Sequence, residues 1–154
     1  MIKWPNEILI ADAKLVGILV EIATHSKSST RLVVGIGVNY QRGAEQKKID
    51  QASTDLHDQC EGALPDRSVL IGHLAAEVYQ RCCHGTVQSN MSRLSAEWPR
   101  YDALAEATVV VKSGSSPDLR GKAGGIDNHG RLLLRTSDGV VPISSGEVSV
   151  RRQP

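Results

Sequence analysis

Apolar, β-branched segments crowded into the first quarter of the chain restrict its fold more than any other feature. Ile8-Leu9-Ile10 and Leu15 to Ile22 are separated only by the polar break Ala11-Asp12-Ala13, which predicts a β-hairpin. A polar linker, Thr24 to Thr30, leads into Arg31-Leu32-Val33-Val34-Gly35-Ile36-Gly37-Val38-Asn39, a further strand. The near-continuous apolar character predicts strands covered on both faces, as in the middle of a layered domain.

The pattern changes after Tyr40. Gln41 to Arg67 is a long polar stretch, and connections of that length in compact domains are usually functional or contain a short helix. Ser68 is placed as an N-cap. Ile71, Leu74, Ala75, Val78 and Cys82 then recur at helical spacing, and Gly85 is positioned to end the helix. A second helix is expected from about Asn90 to Trp98, where Pro99 should stop or kink it. The two helices are expected to cover one face of the sheet.

A second change falls near Ala105. Thr108 to Lys112, Lys122 to Ile126, Arg131 to Arg135, Val140 to Ile143 and Glu147 to Arg151 are short strand candidates separated by Gly, Asn, Ser and Asp. Close spacing with turn signals favours a small antiparallel barrel. The expected class is α+β: a partial mixed β-sheet with helices on one face in residues 1–104, then a small β-barrel in residues 105–154.

Composition narrows the function. The net charge of +1 and an aromatic content of 3%, with no Phe, argue against a dedicated nucleic-acid binder. No apolar run approaches the ~20 residues that span a bilayer. Met1 to Asn6 lacks the apolar stretch of a signal peptide, so the chain reads as cytoplasmic. Cys60, Cys82 and Cys83 form no disulfide framework and no ligand cluster with His84, so they read as buried reduced thiols, with no metal site. His25, His57, His73, His84 and His129 show no catalytic spacing.

Lys3-Trp4-Pro5-Asn6, followed by a hairpin carrying Lys14-Leu15-Val16-Gly17-Ile18-Leu19-Val20-Glu21, resembles the central signature of biotin protein ligases. Gly35-Ile36-Gly37-Val38-Asn39 resembles the Gly-x-Gly-x-Asn segment of that family. The tail, Gly125-Ile126-Asp127 through Gly130 to Leu134 and on to Gly146-Glu147-Val148-Ser149-Val150-Arg151, is similar to its carboxy-terminal barrel. The resemblance implies the carboxy-terminal part of a class II synthetase-like catalytic domain joined to an SH3-like barrel. It also implies two reactions, in which ATP and biotin form biotinyl-adenylate and a carrier-domain lysine then takes the biotin as an amide. Biotin and ATP are then substrates, Mg2+ accompanies ATP, and a biotin carboxyl carrier domain is the partner.

By the same resemblance Lys14 is the essential hairpin lysine, contacting carboxylate and phosphate oxygens where two anions meet. Glu7 stands where the family has Asp, and would orient the incoming lysine or accept its proton. Gly17 and Ile18 resemble the wall of the biotin pocket. Gly35 and Gly37 let backbone approach the ligand, with Asn39 offering an amide to the adenylate or its ribose. Glu147 and Arg151 match charged positions of the last barrel strand. Trp4 reads as a core anchor and Asn6 as a turn residue.

The family's arginine-glycine loop, patterned Gly-Arg-Gly-Arg-x-x-Arg, precedes the Lys-Trp-Pro-Asn motif, and no such segment occurs in this sequence. Adenylation by the chain alone is therefore expected to be weak or absent. The strand bearing Lys3 and Trp4 should present an edge that favours a homodimer. The alternative is a non-catalytic biotin-binding or regulatory remnant of such a ligase. A third reading is the related lipoate-type acyl ligase fold.

Overall fold

The computed structural model describes residues 1–41, 51–84, 86–113, 116–145 and 148–152. They are arranged in two compact units, Met1–Leu64 and Pro65–Pro154. In the first unit, β1 (Ile2–Lys3), β2 (Glu7–Ile10), β3 (Ala13–His25) and β4 (Thr30–Val38) form one antiparallel sheet in that order. Ala11 and Asp12, at φ 46° and 62°, make the two-residue turn between β2 and β3. Positive φ at both central residues gives a turn whose twist matches that of the strands it joins.

The long polar stretch contains the short helix α1 (Leu56–Gln59), N-capped by Asp55, whose carboxylate accepts the Asp58 N–H at 2.8 Å. Gln51 to Thr54 straps the start of β3: Lys14 N–H donates to the Ala52 carbonyl, and Thr54 N–H donates to the Lys14 carbonyl, both at 2.9 Å. Trp4, Leu9 and Leu15 are buried beside this strap. Trp4 is thus a core residue, as its chemistry suggested.

Strands covered on both faces are not what the far half of this sheet shows. Val20, Ile22, Leu32 and Val33 are all more than half exposed. The reason is position: β3 and β4 run on past β2, which pairs only as far as Gly17, and the buried side chains gather at the β2 end.

In the second unit, α2 (Arg67–Cys83) is N-capped by Asp66 rather than Ser68, because the Asp66 carboxylate accepts from the N–H groups of both Ser68 and Val69. The helix ends at His84, and Gly85 lies outside the described residues. The next helix, α3 (Val87–Tyr101), begins in a Thr86–Ser89 capping box and passes through Pro99. Pro removes a single N–H donor, and Asp102 N–H still closes the last turn onto the Trp98 carbonyl. The three cysteines are exposed, not buried: α2 has no buried residue, and Cys60 sits past the end of α1.

Five antiparallel strands follow: β5 (Thr108–Ser113), β6 (Ser116–Ile126), β7 (Leu132–Thr136), β8 (Gly139–Ile143) and β9 (Val148–Arg152). Their order is β8-β7-β6-β5-β9, so the chain meanders and then returns to pair β9 with β5. Val109, Val111, Ala123, Leu132, Leu134 and Val150 alternate inward as its core. Trp98 of α3 lies against Gly125 and Met91 against Gly130. Asp127 closes the β6–β7 turn by accepting the N–H groups of His129 and Arg131, with Gly130 at φ 75°. The class is α+β. No helix among the described residues is long and apolar enough to cross a membrane.

Two glycines should respond oppositely to alanine. A Cβ at Gly121 would fall 2.4 Å from the Arg135 carbonyl oxygen, so Gly121→Ala must push two paired strands apart. We expect a loss of about 1–3 kcal/mol in chemical denaturation. Gly72, in the exposed middle of α2, has nothing within 4 Å of such an atom, and Gly72→Ala should raise stability by up to ~1 kcal/mol.

Candidate functional site

The register of the first sheet places one row of residues on one face. Lys3 opposes Glu7, Glu7 opposes Gly17, and Gly17 opposes Gly37. Directly opposed residues in an antiparallel pair project to the same side. Gly35 lies two residues before Gly37 and opposes Leu19, so it shares that face. The result is a floor of bare backbone at Gly17, Gly35 and Gly37, with a charged rim at Lys3 and Glu7.

Lys14 joins the rim through a β-bulge. The register shifts between Ile8 and Leu9, so Lys14 opposes Leu9, and its side chain lies along the sheet above Gly17. A Cβ at Gly17 would come within 3.2 Å of Lys14 Cε and 3.3 Å of Nζ. The missing side chain at Gly17 is what makes room for the ammonium. Lys14 Nζ donates to Glu7 Oε1 at 2.6 Å, while Lys3 Nζ and Gln51 Nε2 donate to Oε2 at 2.7 and 2.9 Å.

Partial burial pushes the Glu7 carboxyl upward, but the donors outweigh it: bonds from Lys14, Lys3 and Gln51 and the Lys3 charge lower it from 4.5 to about 2. The carboxylate side chain is 13% exposed and Lys14's is 35% exposed, so the ammonium is the more accessible partner. Two cations around one anion leave the rim net positive. Glu7 is ionised at neutral pH and weakly basic, which suits holding a cation better than removing a proton.

A cleft of about 520 Å³ opens over the glycine floor, lined by Asn6, Lys14, Gly17, Leu19, Gly35 and Gly37, with Ile18 and Ile36 contributing from the same strands. Ile18 opposes Ile36, one residue out of phase with the Gly17–Gly37 pair, so those two side chains belong to the other face. Asn6 is more than a turn residue. Its side-chain amide donates to the Ile18 carbonyl at 2.6 Å and its backbone carbonyl accepts the Ile18 N–H at 2.9 Å, fixing the cleft wall.

Asn39 spends its side-chain amide on structure, donating to the carbonyls of Lys14 at 3.1 Å and Thr54 at 3.0 Å. That leaves its side-chain oxygen as what it can offer a ligand. Arg151 is exposed on β9, opposite Val110 of β5. Glu147 lies outside the described residues. The residues that sequence reasoning missed are Lys3 and Gln51. Lys3 stood in a quoted motif without a role, and nothing in the sequence marked Gln51.

Among the described residues, Asp55, His57 and Asp58 are the group whose ligand atoms converge within 4.8 Å. The Asp55 carboxylate is already engaged in capping α1, and the other two side chains are exposed, so the cluster is read as a helix start.

Because the folded pKa of Glu7 lies below its ordinary value, its contacts stabilise fully above pH 4.5 and are lost as pH falls toward about 2. Discounted for solvent screening of the partly exposed lysines, that contribution is about 1–2 kcal/mol. Urea midpoints of the parent and Glu7→Gln, followed from pH 6 downward, should converge within this window. A gap independent of pH would count against the pairing.

Two family models match the chain. The model "Biotin/lipoate A/B protein ligase family" covers residues 1–39, and "Biotin protein ligase C terminal domain" covers residues 108–151. Among curated relatives, the bifunctional ligase/repressor BirA of Salmonella typhimurium is 30% identical, over 97% of this chain and 46% of its own length. A biotin--[acetyl-CoA-carboxylase] ligase of Mycobacterium tuberculosis is 31% identical, over 96% of this chain and 52% of its own. The chain thus spans about half the length of the curated relatives it matches. A crystal structure of biotin protein ligase from Aquifex aeolicus superposes with a TM-score of 0.74 at 27% identity, covering 98% of this chain and 64% of that one. The same Aquifex enzyme in complex with biotin and ATP gives 0.74 at 24% identity, covering 99% and 62%. With one family model at each end and relatives aligned along nearly its whole length, the chain belongs to the biotin protein ligase family.

Proposed function

We propose that this chain forms part of an ATP-dependent biotin--[acetyl-CoA-carboxylase] ligase that makes biotinyl-adenylate and transfers biotin to a lysine of a biotin carboxyl carrier domain. The observation that carries this reading is the Lys14 ammonium lying above Gly17 at the rim of a glycine-floored cleft. In the first reaction a biotin carboxylate oxygen bonds to the α-phosphorus of ATP and pyrophosphate leaves. Both reactants are anions, so a fixed cation at their meeting point offsets their repulsion and the charge that develops in transfer. Lys14 supplies that cation. Gly17, Gly35 and Gly37 let the ligand lie close to backbone, and Ile18 holds the strand that walls the cleft.

In the second reaction a neutral lysine amine bonds to the carbonyl of the mixed anhydride, AMP leaves, and a proton is released. Glu7 orients the Lys14 ammonium in the first reaction and an N–H of the incoming neutral amine in the second, and its low pKa assigns the released proton to water. Asn39 keeps the Lys14 segment in place and has its side-chain oxygen to offer the adenylate. Mg2+ enters only as the companion ion of ATP, and no step is assigned to it.

The five-stranded sheet of the second unit is proposed to correspond to the family's SH3-like barrel, with the family boundary at residues 104/105. In support, α3 ends at Tyr101 and β5 begins at Thr108. Dependence on ATP supports a cytoplasmic location. A homodimer through the sheet edge is also proposed: the edge expected from the sequence is β1, which bears Lys3, and the other edge, β4, is the one with Leu32 and Val33 exposed. Sedimentation at rising concentration should show a dimer that Val33→Lys weakens, and a monomer throughout would exclude it.

Pyrophosphate exchange with biotin and ATP tests the ligase reading, measured on the chain and on the chain joined to the amino-terminal half of a relative. Where exchange is present, Lys14→Ala should lower it ~100-fold. Gly17→Ala should lower it about tenfold by displacing the ammonium, with only a small fall in melting temperature, because its new methyl meets only the flexible end of Lys14. Exchange that survives Lys14→Ala would sink the assignment. Tight biotin binding without exchange in either form would favour a non-catalytic biotin-binding or regulatory protein.

A further inference from the structure

Away from the Glu7–Lys14 site, the second sheet sorts its side chains by chemistry. Lys122 opposes Arg135 on one side and Thr108 on the other, while Val110 opposes both Arg120 and Arg151. Opposed residues share a face, as do alternate residues along a strand. Lys112, Arg120, Lys122, Arg135 and Arg151 therefore occupy one face together with Val110, which is buried between Arg120 and Arg151, and the other buried core residues of the sheet occupy the opposite face. All five cations are exposed.

Their counter-ions are few. Lys112 meets Asp118 at 3.9 Å, and Arg135 pairs with Glu106. Among the described residues, Arg120, Lys122 and Arg151 have no ion pair. The whole chain carries a net charge of only +1, so the face reflects segregation of charge rather than an excess of it. Segregation has a cost here. Like charges directly opposed across strands, as at Lys122 and Arg135, destabilise a sheet, and nothing in the packing of this one requires both.

An acidic surface seated on the face would relieve that repulsion. An exposed apolar residue among the cations points to a protein as its source. Val140, opposite Arg135, is 59% exposed. An apolar contact ringed by charge is the usual composition of a protein interface. The face carries no aromatic side chain on which a nucleic-acid base could stack.

We propose that this basic face docks an acidic protein surface, that of the carrier domain whose lysine accepts biotin. The identity of the partner rests on the ligase reading above, and the charge it must carry does not. Arg151, matched by resemblance to a substrate-binding position, then serves the protein substrate from the edge of this face.

The test is titration calorimetry of the chain with an unmodified biotin carboxyl carrier domain of net negative charge, at about 50 and about 300 mM salt, beside pyrophosphate exchange by the chain joined to the amino-terminal half of a relative. Binding should weaken severalfold at the higher salt, because screening shortens to under about 8 Å there. The double variant Arg120→Glu/Lys122→Glu should lose about tenfold or more at low salt, and Arg120→Gln/Lys122→Gln a smaller factor, both with an unchanged circular dichroism spectrum. Affinity unaffected by either double variant would overturn the proposal. So would charge-sensitive binding to duplex DNA with none to the carrier domain. Exchange does not involve the carrier, so the two readings fail separately. Charge-sensitive carrier binding without exchange supports the face and counts against the ligase reading. Exchange with charge-insensitive carrier binding does the reverse.

Discussion

The Glu7 carboxylate, gripped by three donors, organises the first unit. A carboxylate this enclosed is tolerated only when its charge is met, and Lys3, Lys14 and Gln51 meet it from three separate parts of the chain. Each contact requires a different structural feature. Lys3 arrives through the pairing of β1 with β2, Lys14 through the bulge and the space above Gly17, and Gln51 through the strap that hydrogen-bonds both sides of Lys14. A slip of one residue in the β2–β3 register would turn Glu7 to the opposite face from the glycines and undo the site.

The same ion pair limits what the site can do. An ammonium fixed against a carboxylate keeps its charge and position without waiting for a ligand, which is the condition for electrostatic stabilisation at low reorganisation cost. The bare floor at Gly17, Gly35 and Gly37 complements it, since a ligand can lie close to the strands while its anionic end meets the rim. Asn6 and Asn39 act one layer out, tying the backbone of Ile18 and of Lys14 to neighbouring segments. Their amides hold the geometry that the charged side chains use.

The second sheet follows a different logic. Alternation buries Val109, Val111, Leu132 and Leu134 on one face and sets a row of cations around the buried Val110 on the other. Burial explains the first set completely. It says nothing about the second, whose mutual repulsion is a local cost, and that asymmetry separates residues kept for packing from residues available for contact.

Local signals fixed much of this protein in advance. The hairpin at Ala11 and Asp12, the strand through Gly35 and Gly37, the five short strands after Ala105 and the Lys-Trp-Pro-Asn motif with its following lysine could all be read from neighbouring residues. They depend on turn chemistry, side-chain periodicity and short-range spacing. Three things lay beyond that range. The exposure of Val20, Ile22 and Leu32 depends on how far β3 and β4 run past β2, and an apolar run reads the same there as over the core. The cap at Asp66 displaced Ser68 because a carboxylate two residues upstream reaches two N–H groups at once. The environment of Glu7 depends on Gln51, 44 residues away, and on a bulge that turns Lys14 over Gly17. Periodicity assigns a residue to a face, but only the folded register decides which charges meet there.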